Sequence, residues 1–347
     1  MTMSDTKTKP LTTLTADELR DLATRVFLSR GVPEDNAETV SDILIEANLR
    51  GHDSHGVIRI PRWVVGLDSG ALKPVCSPEV IHDKGGTAMI HGDQGLGPVV
   101  ARQATSMVLG KAKEFGIGLV CVRKASHIGI LQYYSQWLAE NGVIGIVMTN
   151  TESGVAPFGS RQQILGTNPL TIAVPSDGDP YLVDMSTSVV ARGKIVNALE
   201  RGEDIPLGWA VDEDGNPTTD PQAALNGALL PAGGPKGSGL AIMVDLLTGA
   251  LAGEAVGTGV KGTMNTDQGI TKGDMFLAID PGAVGSMDRY VTSVEALASE
   301  IHDSQPVPGV DKVLMPGEFE RANKAERIKN GIAVPHDLLA QIKTLVD

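Results

Sequence analysis

Apolar residues recur at helical spacing near both ends of the chain, and in its middle they gather into short runs bounded by glycine and proline. The first pattern predicts amphipathic helices and the second short strands packed between helices. Thr15-Ala16-Asp17-Glu18 has the form of a capping box, with Thr15 as N-cap and Glu18 reaching back to it. The helix it opens carries Leu19, Leu22, Val26 and Phe27 on one face and stops at Gly31. A second helix starts at Pro33-Glu34-Asp35, carries Ala37, Val40, Ile43, Leu44 and Ala47, and ends near Gly51. Residues 50–63 then read as a loop. From about Pro74 the texture alternates, with strands expected over 87–91, 117–122, 143–148, 170–174, 181–184 and 275–279. Helices are expected over 98–115, from 128 to 141, over 189–200 and over 239–252, then over 286–302, 318–330 and 335–346. The fold class is therefore α/β in the middle with helical material from both termini.

Composition adds bounds. The chain has 347 residues, 41% hydrophobic and 20% charged, values ordinary for a globular protein with a large core. With only 3% aromatics and 41 glycines, the core must be aliphatic and the loops numerous. A net charge of −13 argues against a nucleic-acid partner and an anionic membrane surface, yet leaves room for local arginines to hold a small anion. Cys76 and Cys121 form neither a CxxC nor a metal-ligand spacing and read as reduced thiols. The polar stretch 1–10 reads as a frayed terminus without an apolar targeting segment. The most apolar window, 240–252, is too short to span a bilayer, contains Asp245, and is expected to be a buried helix. A cytoplasmic protein is expected.

Chemistry concentrates in residues 50–63, which hold His52, Asp53, Ser54, His55 and three arginines. Imidazole passes protons near neutral pH, and guanidinium holds a carboxylate through paired hydrogen bonds. Such a loop suits chemistry on a small acid, or is merely a solvated connection. His52, Asp53 and His55 fit no common zinc spacing, so a metal-dependent lyase or hydrolase is the lesser reading. No Gly-x-Ser-x-Gly elbow supports a serine hydrolase. Residues 257–262, Gly-Thr-Gly-Val-Lys-Gly, match the dinucleotide fingerprint in letters but lack the strand before and the helix after that its physics requires. Residues 234–239, Gly-Pro-Lys-Gly-Ser-Gly, sit at a helix start, where a phosphate contact and a simple cap are equally open. Residues 212–220 imitate a calcium loop but carry Pro217 where its glycine belongs and Ala223 where its glutamate belongs, so a solvated turn is expected.

Several strings nevertheless occur together: Ser54-His55-Gly56 with Arg59 and Pro61, Ser126-His127-x-Gly129, Thr149-Asn150-Thr151, Gly166-Thr167-Asn168-Pro169-Leu170, Asp184-Met185-Ser186, Lys236-Gly237-Ser238-Gly239 and Pro316-Gly317-Glu318. In this order and over nearly the whole chain they resemble the malate/L-lactate dehydrogenase family of NAD(P)-dependent 2-oxo acid reductases. Residues 259–263 and 271–274 look most like its sulfolactate/malate branch, though the Asn-x-Gly that other branches often carry near Thr271 is absent. The resemblance implies a non-Rossmann cofactor domain with a largely antiparallel, mixed sheet flanked by helices. It places that α/β domain at 76–284 and a helical substrate and dimerisation domain at 1–75 with 285–347. It implies His55 as proton donor with Ser54 and Asp184 as its relay, and His127 as a second histidine beside the nicotinamide. Arg59, helped by Thr167 and Asn168, would hold the substrate carboxylate. Asn150, Thr151, Asp184, Met185, Ser186, Lys236, Gly237, Gly317 and Glu318 would meet the dinucleotide together with His127. The expected enzyme transfers hydride between NAD, or NADP, and a small anionic 2-oxo acid, malate or 3-sulfolactate being the favoured hydroxy acids. Another 2-oxo or cyclic imino acid is the alternative. It needs no metal, nucleic acid or membrane and works as a homodimer with sites near the interface.

Overall fold

The computed structural model describes residues 10–346. The reading of the first residues as a frayed terminus lies outside them except at Pro10. Strand β1 (Leu11–Leu14) leads into α1 (Ala16–Leu28). The Thr15 hydroxyl accepts the Glu18 amide at 3.2 Å while the Glu18 carboxylate accepts the Thr15 amide at 2.8 Å, so the capping box forms as read. After α2 (Glu34–Leu49) the chain makes two 3-10 turns, Asp53–His55 and Val57–Arg59, and enters α3 (Ile60–Asp68). Residues 60–63 are thus helical rather than loop. Pro61, with its fixed φ, suits a first helical turn where its missing N–H costs nothing.

The central segment supplies β2 (Glu79–Lys84), β3 (Thr87–Gly95), α4 (Gly97–Phe115), β4 (Ile117–Ala125), α5 (Gln132–Glu140), β5 (Ile144–Thr149), β6 (Leu170–Val174) and β7 (Tyr181–Met185). Then come α6 (Arg192–Arg201), β8 (Ala210–Val211), α7 (Pro221–Asn226), β9 (Ala228–Leu229), α8 (Pro235–Asp245) and β10 (Gly273–Ile279). The chain closes with α9 (Pro281–Val284), α10 (Met287–His302), α11 (Glu318–Asn330), β11 (Ile332–Pro335) and α12 (His336–Thr344).

Seven strands form one sheet in the order β2-β3-β4-β10-β5-β6-β7. Only the β3–β4 pair is parallel; every other neighbour is antiparallel. This is the mixed, mostly antiparallel sheet expected, and not a doubly wound Rossmann sheet. Inward residues Val120, Val122, Val147 and Phe276 meet Val100, Ala104 and Val108 of α4 and Leu138 of α5. The helical layer has its own core, where Leu22, Val26, Leu44, Ile60 and Trp63 pack against Ile332, Val334 and Ile342 from the other end of the chain. Each such side chain contributes roughly 1.5–3 kcal/mol when removed from water. β1 and β11 pair antiparallel from Leu11↔Pro335 to Leu14↔Ile332 and tie the two ends together.

Residues 257–262 occupy a 3-10 turn, Gly257–Gly259, followed by extended chain, with neither the strand nor the helix of a fingerprint. Asp212 accepts the amides of Asp214 and Asn216 at 3.0 and 2.8 Å, a self-contained turn. The 240–252 window departs from expectation. It is the end of α8 and a π-turn, Leu246–Ala250, and Leu240, Met243, Leu247 and Leu251 stand exposed rather than buried. Hydrophobicity alone carries no information on whether a face is covered by the same chain or left open. No helix among the described residues is long and apolar enough to cross a membrane.

Candidate active site

The turn after α2 is held by one side chain that sequence reasoning missed. Asn48 donates to Asp53 at 2.7 Å and accepts the Val57 amide at 2.9 Å, bracketing Ser54 and His55. A Cβ at Gly56 would fall 2.1 Å from the Asn48 amide oxygen, which explains the glycine after the histidine. Arg327 of α11 adds hydrogen bonds to both Asp53 oxygens, at 2.7 and 3.1 Å. Asp53 is therefore a committed structural carboxylate. Among the described residues no group of three or more His, Cys, Asp or Glu is arranged to hold a metal ion.

The fixed turn brings His55 against His127, their rings 5.4 Å apart. His127 comes from the segment after β4 and is backed by Trp63 of α3, 6.4 Å away, so both layers of the protein meet here. The Nδ1 of His127 accepts the Gly129 amide at 3.1 Å, which leaves the proton of the neutral ring on Nε2. The Nδ1 of His55 shares a hydrogen bond with the Ser54 hydroxyl at 3.0 Å. Burial pushes the His55 pKa down to about 3, and the Arg59 guanidinium and His52 push the same way. Burial, with Arg59 and His55, also holds His127 well below the usual imidazole range. Both rings are neutral at physiological pH in the ligand-free protein. Arg59 donates from Nε to the Ser54 carbonyl at 2.7 Å, and burial with Arg62 brings its pKa down to about 10, so it stays charged.

Asp184, at the end of β7, accepts the Gln132 amide at 2.9 Å and so caps α5. Burial raises its pKa to about 6 despite that bond and the nearby Arg50. Its hydrogen bond goes to α5 and not to His55. The side chain of Gln132 beside it is fully buried, and neither its oxygen nor its nitrogen has a partner among the described residues.

The Asn150 amide is spent on Asp245, Ala255 and Gly273, tying the ends of β5 and β10 to the π-turn. Asn168, at φ 34°, accepts the Thr151 amide and donates to the Ala241 carbonyl, while the Thr151 and Thr167 hydroxyls meet at 3.3 Å. These residues form a scaffold at the far end of β5 and β6. Met185 is exposed, and Ser186 bonds to the Ser188 carbonyl. Gly317 begins α11 at φ 93°, and Glu318 accepts His302 and the Met315 amide, so this pair lies against the start of β7.

The loop at 231–237 is different in character. Gly233 and Gly234 both have positive φ, α8 starts directly behind them at Pro235 without a side-chain cap, and Lys236 is exposed. Uncapped amides, a helix dipole and one lysine are features that could hold a phosphate. Beside it, Phe158, Val189, Leu230, Pro231 and Gly234 line a mainly apolar, half-open depression of about 310 Å³. These residues fit a dinucleotide.

Comparison with known proteins agrees with the geometry. The sequence profile of the malate/L-lactate dehydrogenase family matches residues 14–343. The chain is 43% identical to the L-sulfolactate dehydrogenase of Methanocaldococcus jannaschii over 91% of each protein. It is 40% identical to the malate/(S)-sulfolactate dehydrogenase of Methanothermus fervidus over 96% of this chain and 97% of the relative. The solved structure of the M. jannaschii sulfolactate dehydrogenase superposes with a TM-score of 0.92, covering 96% of each chain at 41% identity. The chain belongs to the malate/L-lactate dehydrogenase family and, with it, to the nicotinamide-dependent oxidoreductases of hydroxy acids.

Proposed function

We propose that the His55–His127 site interconverts a small 2-oxo acid and its 2-hydroxy acid, with malate and 3-sulfolactate as the favoured hydroxy acids. The observation that carries this reading is a pair of neutral imidazoles beside Arg59, a charged guanidinium with no carboxylate partner among the described residues. When bound, the nicotinamide cofactor exchanges a hydride with C2 of the acid. The protein's part is the proton and the charge. In the oxidation direction neutral His55 takes the hydroxyl proton. In reduction it gives a proton to the carbonyl oxygen, so that one hydride and one proton convert C=O to CH–OH. Ser54, at 3.0 Å from Nδ1, relays that proton. Asp184, taken from the family resemblance as the outer member of the relay, is held by the Gln132 amide. Arg59 holds the substrate carboxylate, and the incoming negative charge offsets the guanidinium that keeps His55 neutral, making its protonation easier. The Nε2–H of His127 supports the carbonyl oxygen or the nicotinamide amide.

Thr167 and Asn168 serve by holding Thr151 and the end of α8 in place. Asn150, Thr151, Met185, Ser186, Lys236, Gly237, Gly317 and Glu318 border the dinucleotide, with Lys236 on its phosphates. NAD is the favoured dinucleotide, in line with the sulfolactate/malate branch resemblance, and NADP is the alternative. The exposed face of Leu240, Met243, Leu247 and Leu251 supports a homodimer. Both cysteines are free thiols, which suits a reducing compartment such as the cytoplasm.

The test is a panel of 2-oxo acids with NADH and NADPH, followed by loss of reduced-nicotinamide absorbance in the presence of EDTA. The reading expects EDTA-insensitive turnover of oxaloacetate or 3-sulfopyruvate. Binding of NADH without oxidation by any acid would overturn it in favour of a scaffold without turnover.

A further inference from the structure

The proposed reaction needs one cation for one carboxylate, yet the site holds three. Arg62 lies one helical turn beyond Arg59 on continuous right-handed backbone, so the two guanidinium groups leave the same side of the chain. Its carbonyl is held by the Thr266 hydroxyl, which fixes the turn from the other side. Arg192 arrives from a third segment, as the first residue of α6. A Cβ on its neighbour Gly193 would sit 3.4 Å from the Ser54 Cβ, and one on Gly154 would sit 3.9 Å from the Arg192 Nη1. The start of α6 is therefore pressed against the Ser54–His55 turn. Arg62 lies close enough to act electrostatically on Arg59, Arg192 and His127 at once.

None of the three guanidinium groups has an ion-pair partner among the described residues. The nearby carboxylates are committed elsewhere: Glu152 accepts the amides of Thr263, Met264 and Asn265, and Asp53 is held by Arg327. The N-cap of α6 is Ala191, which has no side-chain acceptor, so the first amides of that helix add positive potential at the same place. In a chain of net charge −13, three arginines without an ion-pair partner among the described residues, the exposed Arg62 among them, gather positive charge on this side of the turn. One carboxylate on Arg59 would leave two cations unanswered.

We infer that Arg192, with Arg62, reads a second acidic group on the substrate, making this site selective for dianionic 2-oxo acids, with a carboxylate or sulfonate on the carbon beyond the ketone, over monoanionic ones. The assignment rests on the 2-oxo acid reading above and goes beyond it by naming what sets the choice among such acids. Arg192 is then a specificity-determining residue that touches substrate, while Arg59 keeps the carboxylate common to all of them. A planar guanidinium matches carboxylate and sulfonate oxygens equally well, so the chemistry shared by the two groups is the target. The competing occupant is the pyrophosphate of the dinucleotide, which the test separates.

The experiment compares wild type, Arg192→Met and Arg192→Lys with oxaloacetate, which has two acidic groups, and pyruvate, which has one, while NADH affinity is followed by fluorescence. Losing a charged contact to substrate predicts that Arg192→Met lowers kcat/KM for oxaloacetate about 100-fold, mainly through KM. Pyruvate turnover and NADH affinity should change less than about threefold, and Arg192→Lys should recover part of the loss. Equal losses on both acids would overturn the assignment, as would a loss confined to NADH binding, which would give Arg192 to the pyrophosphate. Wild-type enzyme inert towards every 2-oxo acid would instead sink the reaction itself, and this assignment with it.

Discussion

Two arginine clusters border the same short turn and do opposite things. On its outer side, the Arg327 guanidinium grips Asp53 at 2.7 and 3.1 Å and the Asn48 carbonyl at 2.5 Å. Nearby, Arg50 and Lys324 share Glu46 at 2.6 and 2.8 Å. On its inner side Arg59 and the exposed Arg62 act on His127, Arg192 lies at the start of α6 beside Ser54, and none of the three has an ion-pair partner among the described residues. The first cluster is closed electrostatically and builds the seam between α2 and α11. The second is open and can be closed only by something that arrives. Charge type is identical in the two, so the lesson is that pairing, and not residue identity, separates an arginine that holds the fold from one that binds. The neutral state of His55 follows first from its burial, with the Arg59 guanidinium adding to it.

The comparison breaks most readily on its open side. Arg59→Met should lower kcat/KM for the 2-oxo acid roughly 100-fold through KM, with the melting temperature nearly unchanged. A variant that instead unfolds early, with normal KM, would place Arg59 among the structural arginines. Asp184 sharpens the account through pH. Its folded pKa of about 6 lies above the unfolded carboxyl value of about 3.9, so the native state binds the extra proton between those two values. Its cost to stability is absent well below about pH 3.9, small at pH 4 and fully present above about pH 7. Asp184→Asn should therefore be more stable than wild type by about 1–2 kcal/mol at pH 8 and by much less at pH 4, read from urea unfolding at the two pH values. A gain of equal size at both would remove the charge from the explanation. On the closed side the effect is smallest. Arg327→Ala should cost about 1 kcal/mol of stability, because its pair with Asp53 is partly exposed, and leave kcat/KM within about threefold.

Much of this arrangement was legible in the chain. The capping box at Thr15, the apolar faces of α1 and α2, and the short inner strands are local patterns, and local patterns survive folding. The pairing of β1 with β11 was not legible, because two four-residue strands at opposite ends of the chain acquire meaning only when those ends meet. β2 was missed for a related reason: all its residues are exposed at the sheet edge, so no alternation marks it. The 240–252 window was misjudged because its apolar face meets no surface of its own chain. At the site, Ser54, His55, Arg59 and His127 stood out by type and spacing. Asn48 did not, since an asparagine inside a helix carries no signal until its amide is seen holding the next turn. Arg192 was invisible for the same reason, being brought to Ser54 from a distant segment. The protonation states lay further still from the sequence, because they depend first on burial and then on charges brought in by other segments.

His55, buried and facing His127 beside Arg59, is the group proposed to move the proton. Single-turnover and steady-state reduction of oxaloacetate by His55→Asn, with NADH affinity measured on the same preparation, tests it most directly. A fall in kcat of about 1,000-fold with NADH binding intact is expected, the size that follows removal of a general acid. Turnover within a few-fold of wild type would contradict it.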